Sequence, residues 1–439
     1  MIMLRRADQA DTGTSAWNRK RGSVMNRTLP LTCCASYLLG LVLIALGQGS
    51  AQVQFRVLHA FGGPGDGFGI GDSIVVDAEG NLYGTAGIGG TYNFGTVFEL
   101  SPGVDGNWTE TILYDFGSSG PEDGKYPGGP VALGGGGVLY GATSEGGEHD
   151  RGLIFSLAPG PTAWGEAILH NFTYADYVDG LANNLVLDAE GNLFGGAGTF
   201  ELSPGPEGWT FSRTCDRIKV YTGNNYANTA LAAGDRLAAA GNSGGKYRVG
   251  DVYAVVPTPN GWQAADLYDF RATGGDGQIP SFGPLVADSA GNIYGVTSQG
   301  GSDVCGNADC GTIYRLSRQA DGTWQETILY NFANPSAGTG FNPTAGVILD
   351  KAGNLYGTAY YGGNACGCGV VYRLSHHQDD TWTYTVLHKF TGFDGTSPFS
   401  ALTFDSQGNL FGTTEFGGPV YNGGVVFEIS RPDAPVPAD

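Results

Sequence analysis

The sequence predicts an all-β fold, a seven-bladed β-propeller of four-stranded blades whose N-terminal strand closes the last blade. Three observations carry this: one unit is written seven times, each copy holds four short strand-like segments, and the chain's two ends supply complementary parts of one copy. Glycine accounts for 76 of 439 residues, more than twice ordinary usage, without a Gly-X-Y period, so collagen is excluded. The chain is 41% hydrophobic and 15% charged, which favours a packed core of short strands and tight turns.

The most visible segment is GNLYGTAGIGG at Gly80–Gly90. It returns as GVLYGATSEGG at Gly137–Gly147, GNLFGGAG at Gly191–Gly198, GNIYGVTSQGG at Gly291–Gly301, GNLYGTAYYGG at Gly353–Gly363 and GNLFGTTEFGG at Gly408–Gly418. A worn copy, GDRLAAAGNSGG at Gly234–Gly245, makes seven. A second apolar segment follows each, as in GTVFEL from Gly95 and GVVYRL from Gly369. Six of these lead into Trp108, Trp164, Trp209, Trp262, Trp324 and Trp382, each opening a third segment such as WTETILYDF. The fourth is short, as in Ile74–Asp77 and Val347–Asp350. The segments are rich in Val, Ile, Tyr and Phe and bounded by turn residues, and no long stretch after the leader carries a 3.6-residue period.

The chain after the leader opens with QFRVLHAF at Gln54–Phe61, which matches the segment that follows tryptophan. It ends with GVVFEIS at Gly424–Ser430, after which that segment is missing. Joining the two removes an open edge. A β-solenoid is the competing architecture, but its repeats are usually shorter, about 20–30 residues.

These motifs resemble the Gloeobacter–Verrucomicrobia tandem repeat of exported bacterial proteins over roughly Gln54–Ser430. The resemblance implies export and a propeller-like array. It implies no activity, since that family supplies no catalytic residues to carry over. The copies at Thr199–Leu202 and Gly234–Val255 depart from the pattern, and the chain ends in a short Pro-rich tail, 432–439, rather than a sorting segment.

Residues 1–51 read as a secretory signal peptide. Lys20, Arg21 and Arg27 precede the apolar run Leu38–Leu46, and Gly49-Ser50-Ala51 suits cleavage before Gln52. Met25 is a more ordinary start than Met1. The apolar run is shorter than a membrane span, and no second one exists, so a secreted or periplasmic soluble protein is expected, a monomer without a membrane span. The leader carries six basic and two acidic residues, leaving 16 Lys+Arg against 40 Asp+Glu. That acidity disfavours nucleic acid as a partner.

Two aspartate series recur. Asp77, Asp188, Asp288, Asp350 and Asp405 begin Asp-x-x-Gly-Asn and read as hairpin corners whose side chains accept turn N–H groups. Asp66, Asp123, Asp179, Asp276 and Asp394 precede glycine in loops expected to share one face with the Gly-Gly loops. Turn formation accounts for both; no cofactor is expected, and calcium is the one cation the second series leaves open. His59, His170 and His388 stand where Tyr114, Tyr268 and Tyr330 stand in other copies and read as half-buried strand residues. No hydrolase, phosphate-loop or zinc-spacing motif occurs.

Cys305–Cys310 and Cys366–Cys368 are expected to form local disulfides, with zinc binding by the four as the alternative and Cys215 left over. The worn fourth copy gathers Arg213, Arg217, Lys219, Arg236, Lys246 and Arg248 with Tyr221, Tyr226 and Tyr247. That set suits an anionic ligand such as an acidic polysaccharide, against drift as the plainer reading. A binding module for glycan or a cell-envelope protein leads. A carbohydrate-active propeller enzyme (lyase or glycosidase) or a lactonase, and a structural surface protein, are the alternatives.

Overall fold

Each repeat folds into one antiparallel sheet, and seven sheets follow one another along the chain in the computed structural model. It describes residues 52–434 except 71, 177–184, 196–199, 214–226, 233–235, 259–260, 272, 274, 282, 302–309 and 334–337. Blade 1 is Val75–Val76, Leu82–Ala86, Thr96–Pro102 and Trp108–Asp115, paired in that order. Blades 2 to 6 repeat it, with outer strands Gly165–Asn171, Gly208–Arg213, Gly261–Asp269, Trp324–Asn331 and Trp382–Lys389. The worn fourth copy still builds a full blade, from Ala227–Ala232, Arg236–Gly241, Asp251–Thr258 and Gly261–Asp269.

Blade 7 takes three strands from the C-terminal end, Thr403–Phe404, Leu410–Thr414 and Val425–Ser430, and its fourth from Gln54–Ala60. Gln54 pairs with Ser430 and Ala60 with Val425, so the expected ring closure is the observed one. Blades 2 and 5 each gain a short fifth segment, Gly124–Pro127 and Gly277–Pro280.

The corners form as their residues dictate. Asp77 Oδ1 accepts the amides of Glu79 (3.0 Å) and Asn81 (2.8 Å), while Oδ2 accepts Asn81 Nδ2 (2.8 Å) and the Tyr83 hydroxyl (3.0 Å). Gly80 takes φ +91°, an angle that favours glycine. Asp288 and Asp350 repeat the set with Tyr294 and Tyr356. The glycine of Leu-Tyr-Gly has a different reason. A Cβ on Gly84 would stand 2.6 Å from Phe98 Cζ, because the third strand's aromatic ring lies across it.

A bulge in the outer strand decides how blades touch. In six blades the register skips one leucine: Leu58, Leu113, Leu169, Leu267, Leu329 and Leu387. In a regular strand, residues two and six places after tryptophan would share a face. The extra residue reverses that parity, so Glu110 reaches back to blade 7 and Tyr114 forward to blade 2.

Five of the six tryptophans of the repeats pack back onto the aromatic of the previous blade's Leu-Tyr/Phe-Gly segment. The centroid distances are 6.1 Å for Trp108–Phe411, 6.2 Å for Trp164–Tyr83, 5.8 Å for Trp209–Tyr140, 5.5 Å for Trp262–Phe194 and 6.3 Å for Trp382–Tyr294. The phenylalanine that closes six of the seven outer strands packs forward, as Phe61 on Phe98 (4.8 Å) and Phe390 on Phe427 (5.3 Å). The buried core is accordingly concentrated at the junctions between blades.

Candidate functional site

The loops joining second to third strands, and those joining an outer strand to the next blade, lie side by side at one end of the sheets. Gly90 donates to Asp66 O (2.9 Å), Gly147 to Asp123 O (3.1 Å), Gly301 to Asp276 O (2.9 Å) and Gly418 to Gly392 O (3.0 Å). This places the second aspartate series and the Gly-Gly loops on one face, as their spacing implied.

Those aspartates are engaged by their own loops. Asp123 accepts amides from Gly117 (2.7 Å), Ser119 (3.1 Å) and Gly124 (2.7 Å), with the Tyr114 hydroxyl beside it. Asp66 accepts from Gly62 (3.2 Å) and Gly67 (2.7 Å), Asp276 from Arg271 (2.8 Å), and Asp394 from the Thr391 amide (2.7 Å). Asp179 lies outside the described residues; in that loop Asp176 takes the part, accepting the Thr173 amide (2.6 Å) next to His170 (3.4 Å).

What the face exposes is aromatic. Of ten exposed large apolar side chains among the described residues, eight stand in these loops: Ile88, Tyr92, Tyr174, Tyr247, Tyr361, Phe393, Val420 and Tyr421. Of these the sequence singles out Tyr247 alone; Ile88 and Tyr361 fill a variable position inside the repeated segment, and the others fall between segments.

The basic set is met in part. Arg217, Lys219, Tyr221, Cys305 and the side chain of Arg236 lie outside the described residues, as do Cys215 and Tyr226. Lys246, Tyr247 and Arg248 form the blade 4 loop on this face. Lys246 Nζ is 5.4 Å and Arg271 Cζ 5.9 Å from the Tyr247 ring centroid, a cation–π arrangement that adds Arg271 to the set. Arg213 is exposed at the end of blade 3's outer strand. Cys366 and Cys368 are bonded to each other in the blade 6 loop.

Blade 4 differs at its junction with blade 5 as well. Ala238 stands where other blades carry the Leu-Tyr aromatic, and Trp324 there lines a cleft of about 210 Å³ with Leu237, Ala238, Ala254 and Arg318.

The junctions themselves hold the titratable groups, and the pairing of positions across blades was not readable from one repeat. Tyr114 lies between Asp123 and Glu166 of the next blade (2.7 Å to Oε2), and Tyr268 between Asp276 (3.1 Å) and Glu326 (3.2 Å). Burial, with the facing aspartate charge, pushes Glu166 up to about 7 and Glu326 to about 8. At three other junctions rings stack instead: His170–Phe211 (4.3 Å), Tyr330–Tyr384 (4.1 Å) and His388–Phe55 (3.5 Å), all within 7° of parallel. Between blades 7 and 1, His59 meets Asp66 (3.4 Å) and Glu110 (3.5 Å). Among the described residues no helix is long and apolar enough to cross a membrane.

The family model described as the Gloeobacter/Verrucomicrobia repeat matches residues 47–211 and 229–435. Comparison with curated proteins finds no match. Among solved structures the chain is similar to PorZ, an essential bacterial surface component of the type-IX secretion system of Porphyromonas gingivalis. Identity is 16% and the TM-score 0.48, covering 84% of this chain and 47% of that one. The chain thus spans about half the length of that protein.

Proposed function

The chain belongs to the Gloeobacter/Verrucomicrobia repeat family, and from that premise we propose that it is an exported propeller serving as a binding module, with polysaccharide as its ligand class. The observation that carries this is the concentration of exposed aromatic and aliphatic side chains on one loop face. Flat rings held on rigid loops suit sugar faces, and the blade 4 loop adds Lys246, Arg248 and Arg271 around Tyr247 for carboxylate or sulfate groups. The loop aspartates are distributed one per junction and tied to backbone amides, which favours binding over a converged catalytic pocket.

On this reading residues 1–51 direct export, the product is secreted or periplasmic, and Cys305–Cys310 pairs in the same oxidising compartment as Cys366–Cys368. Glycan-array binding of the chain from Gln52, with calcium and with EDTA, tests the proposal. Binding to uronate-bearing or sulfated polysaccharides is expected, falling at least about tenfold in Lys246→Ala/Arg248→Ala/Arg271→Ala. Binding unchanged in that variant removes the basic loop from the site, and an array without signal overturns the glycan reading.

A further inference from the structure

The junction between blades 7 and 1 is alone among the six described in bringing an imidazole and two carboxylates together. We propose that His59, Asp66 and Glu110 form a divalent-cation site of the zinc class, placed where the first strand of the chain closes the ring.

The other junctions act as internal controls. His170–Asp176 and His388–Asp394 repeat the histidine–aspartate pair, but their third position is filled by Phe211 and Phe55, stacked on the imidazole. Tyr114–Asp123–Glu166 and Tyr268–Asp276–Glu326 keep both carboxylates but have a phenol in place of the imidazole. In the first of these the hydroxyl lies 2.7 Å from glutamate, a full hydrogen bond.

At the histidine copy the spacing is wider. Nε2 is 3.4 Å from Asp66 Oδ2 and 3.5 Å from Glu110 Oε2, and all three ligand atoms lie within 4.8 Å of one another. Metal–ligand bonds near 2.1 Å at tetrahedral angles put ligand atoms about 3.4 Å apart, so the two measured edges are those of a zinc polyhedron. Water would take the fourth position, since the three side chains are only partly buried.

The surroundings hold the ligands in place. Asp66 is fixed by the amides of Gly62 and Gly67, and the His59 ring packs edge-on against Phe61 at 4.5 Å. Glu110 Oε1 is buried with no hydrogen-bond partner, as are Glu166 Oε1 and Glu326 Oε1 at the phenol junctions, so Oε2 is the ligand atom that the geometry offers. A dication would balance the two carboxylates beside a neutral imidazole, and it would fasten the N-terminal strand to blade 1.

The test is zinc binding by the EDTA-stripped chain from Gln52, read by native mass spectrometry and by titration calorimetry with zinc chloride, alongside thermal unfolding. One tightly held ion per chain and a raised unfolding midpoint are expected. His59→Tyr installs the residue that the blade 1/2 junction uses, so it keeps the fold while removing the nitrogen ligand. It should bind zinc at least about tenfold more weakly and lose the zinc-induced rise in midpoint. Glu110→Gln, nearly isosteric, should do the same and serves if His59→Tyr does not fold. A wild-type chain that takes up no zinc, or a folded variant that binds and is stabilised as well as wild type, overturns the site.

Discussion

The junction of blades 5 and 6 and the junction of blades 1 and 2 use the same two positions in opposite ways. At the first, Tyr330 stacks flat on Tyr384 at 4.1 Å, and Tyr384 also meets Phe332 edge-on. At the second, Tyr114 sits between two carboxylates, and Glu166 occupies the place of Tyr384. The forward-reaching residue is tyrosine in both. The neighbouring blade, through the residue two places after its tryptophan, therefore chooses between a ring stack and a hydrogen bond. Stacking buries apolar area, and the polar group it buries, the Tyr384 hydroxyl, donates to Thr339 O. The carboxylate clasp keeps a glutamate partly out of water and retains its proton to about neutral pH.

The largest effect should come from breaking a stack. Tyr384→Ala removes the ring contacts to Tyr330, Phe332 and Tyr372 and the hydroxyl's bond to Thr339 O. A loss of about 3 kcal/mol in denaturant unfolding is expected; a loss below about 1 kcal/mol would show that the stack is incidental. The smallest effect should come from the exposed clamp at the other end of the same junction. There Arg315 Nη1 and Nη2 donate to Asp380 at 2.7 and 2.9 Å. Asp380→Asn should cost about 0.5 kcal/mol, diminishing with salt. A cost equal to that of Tyr384→Ala would mean that the surface, not the rings, holds blades 5 and 6 together.

The repeat was legible in the sequence because each of its parts is local. Asp77 and Asn81 make their corner within five residues, and each repeat's tryptophan stands within one residue of the start of its outer strand. The worn copy folds despite losing the pattern, since Leu237, Ala239 and Val255 still supply a buried face. The junction chemistry was not legible, because Tyr114 and Glu166 are 52 residues apart and meet only through the bulge at Leu113. His59, His170 and His388 look equivalent along the chain, yet one faces Glu110 and two face phenylalanine. Most of the loop face was hidden for the opposite reason, as Tyr92, Phe393 and Tyr421 follow no repeat, while Tyr247 was marked by the basic residues around it. In one loop Asp176 carries the role that the Asp-Gly pattern assigned to Asp179.

The measurement that tests the two-kinds-of-junction account most directly is the pH dependence of the unfolding midpoint. It compares wild type with Glu166→Gln/Glu326→Gln. Facing these glutamates are Asp123 with Tyr114 and Asp276 with Tyr268. Their folded values of about 7 and about 8 lie above the ordinary 4.5, so the native chain holds protons that the unfolded chain has released. Stability from these groups is full below about pH 4.5 and declines as pH rises to about 8. The account predicts that wild type loses midpoint between pH 5 and 8 more steeply than the double variant, whose amides do not titrate. Parallel curves for the two proteins over that interval would contradict it.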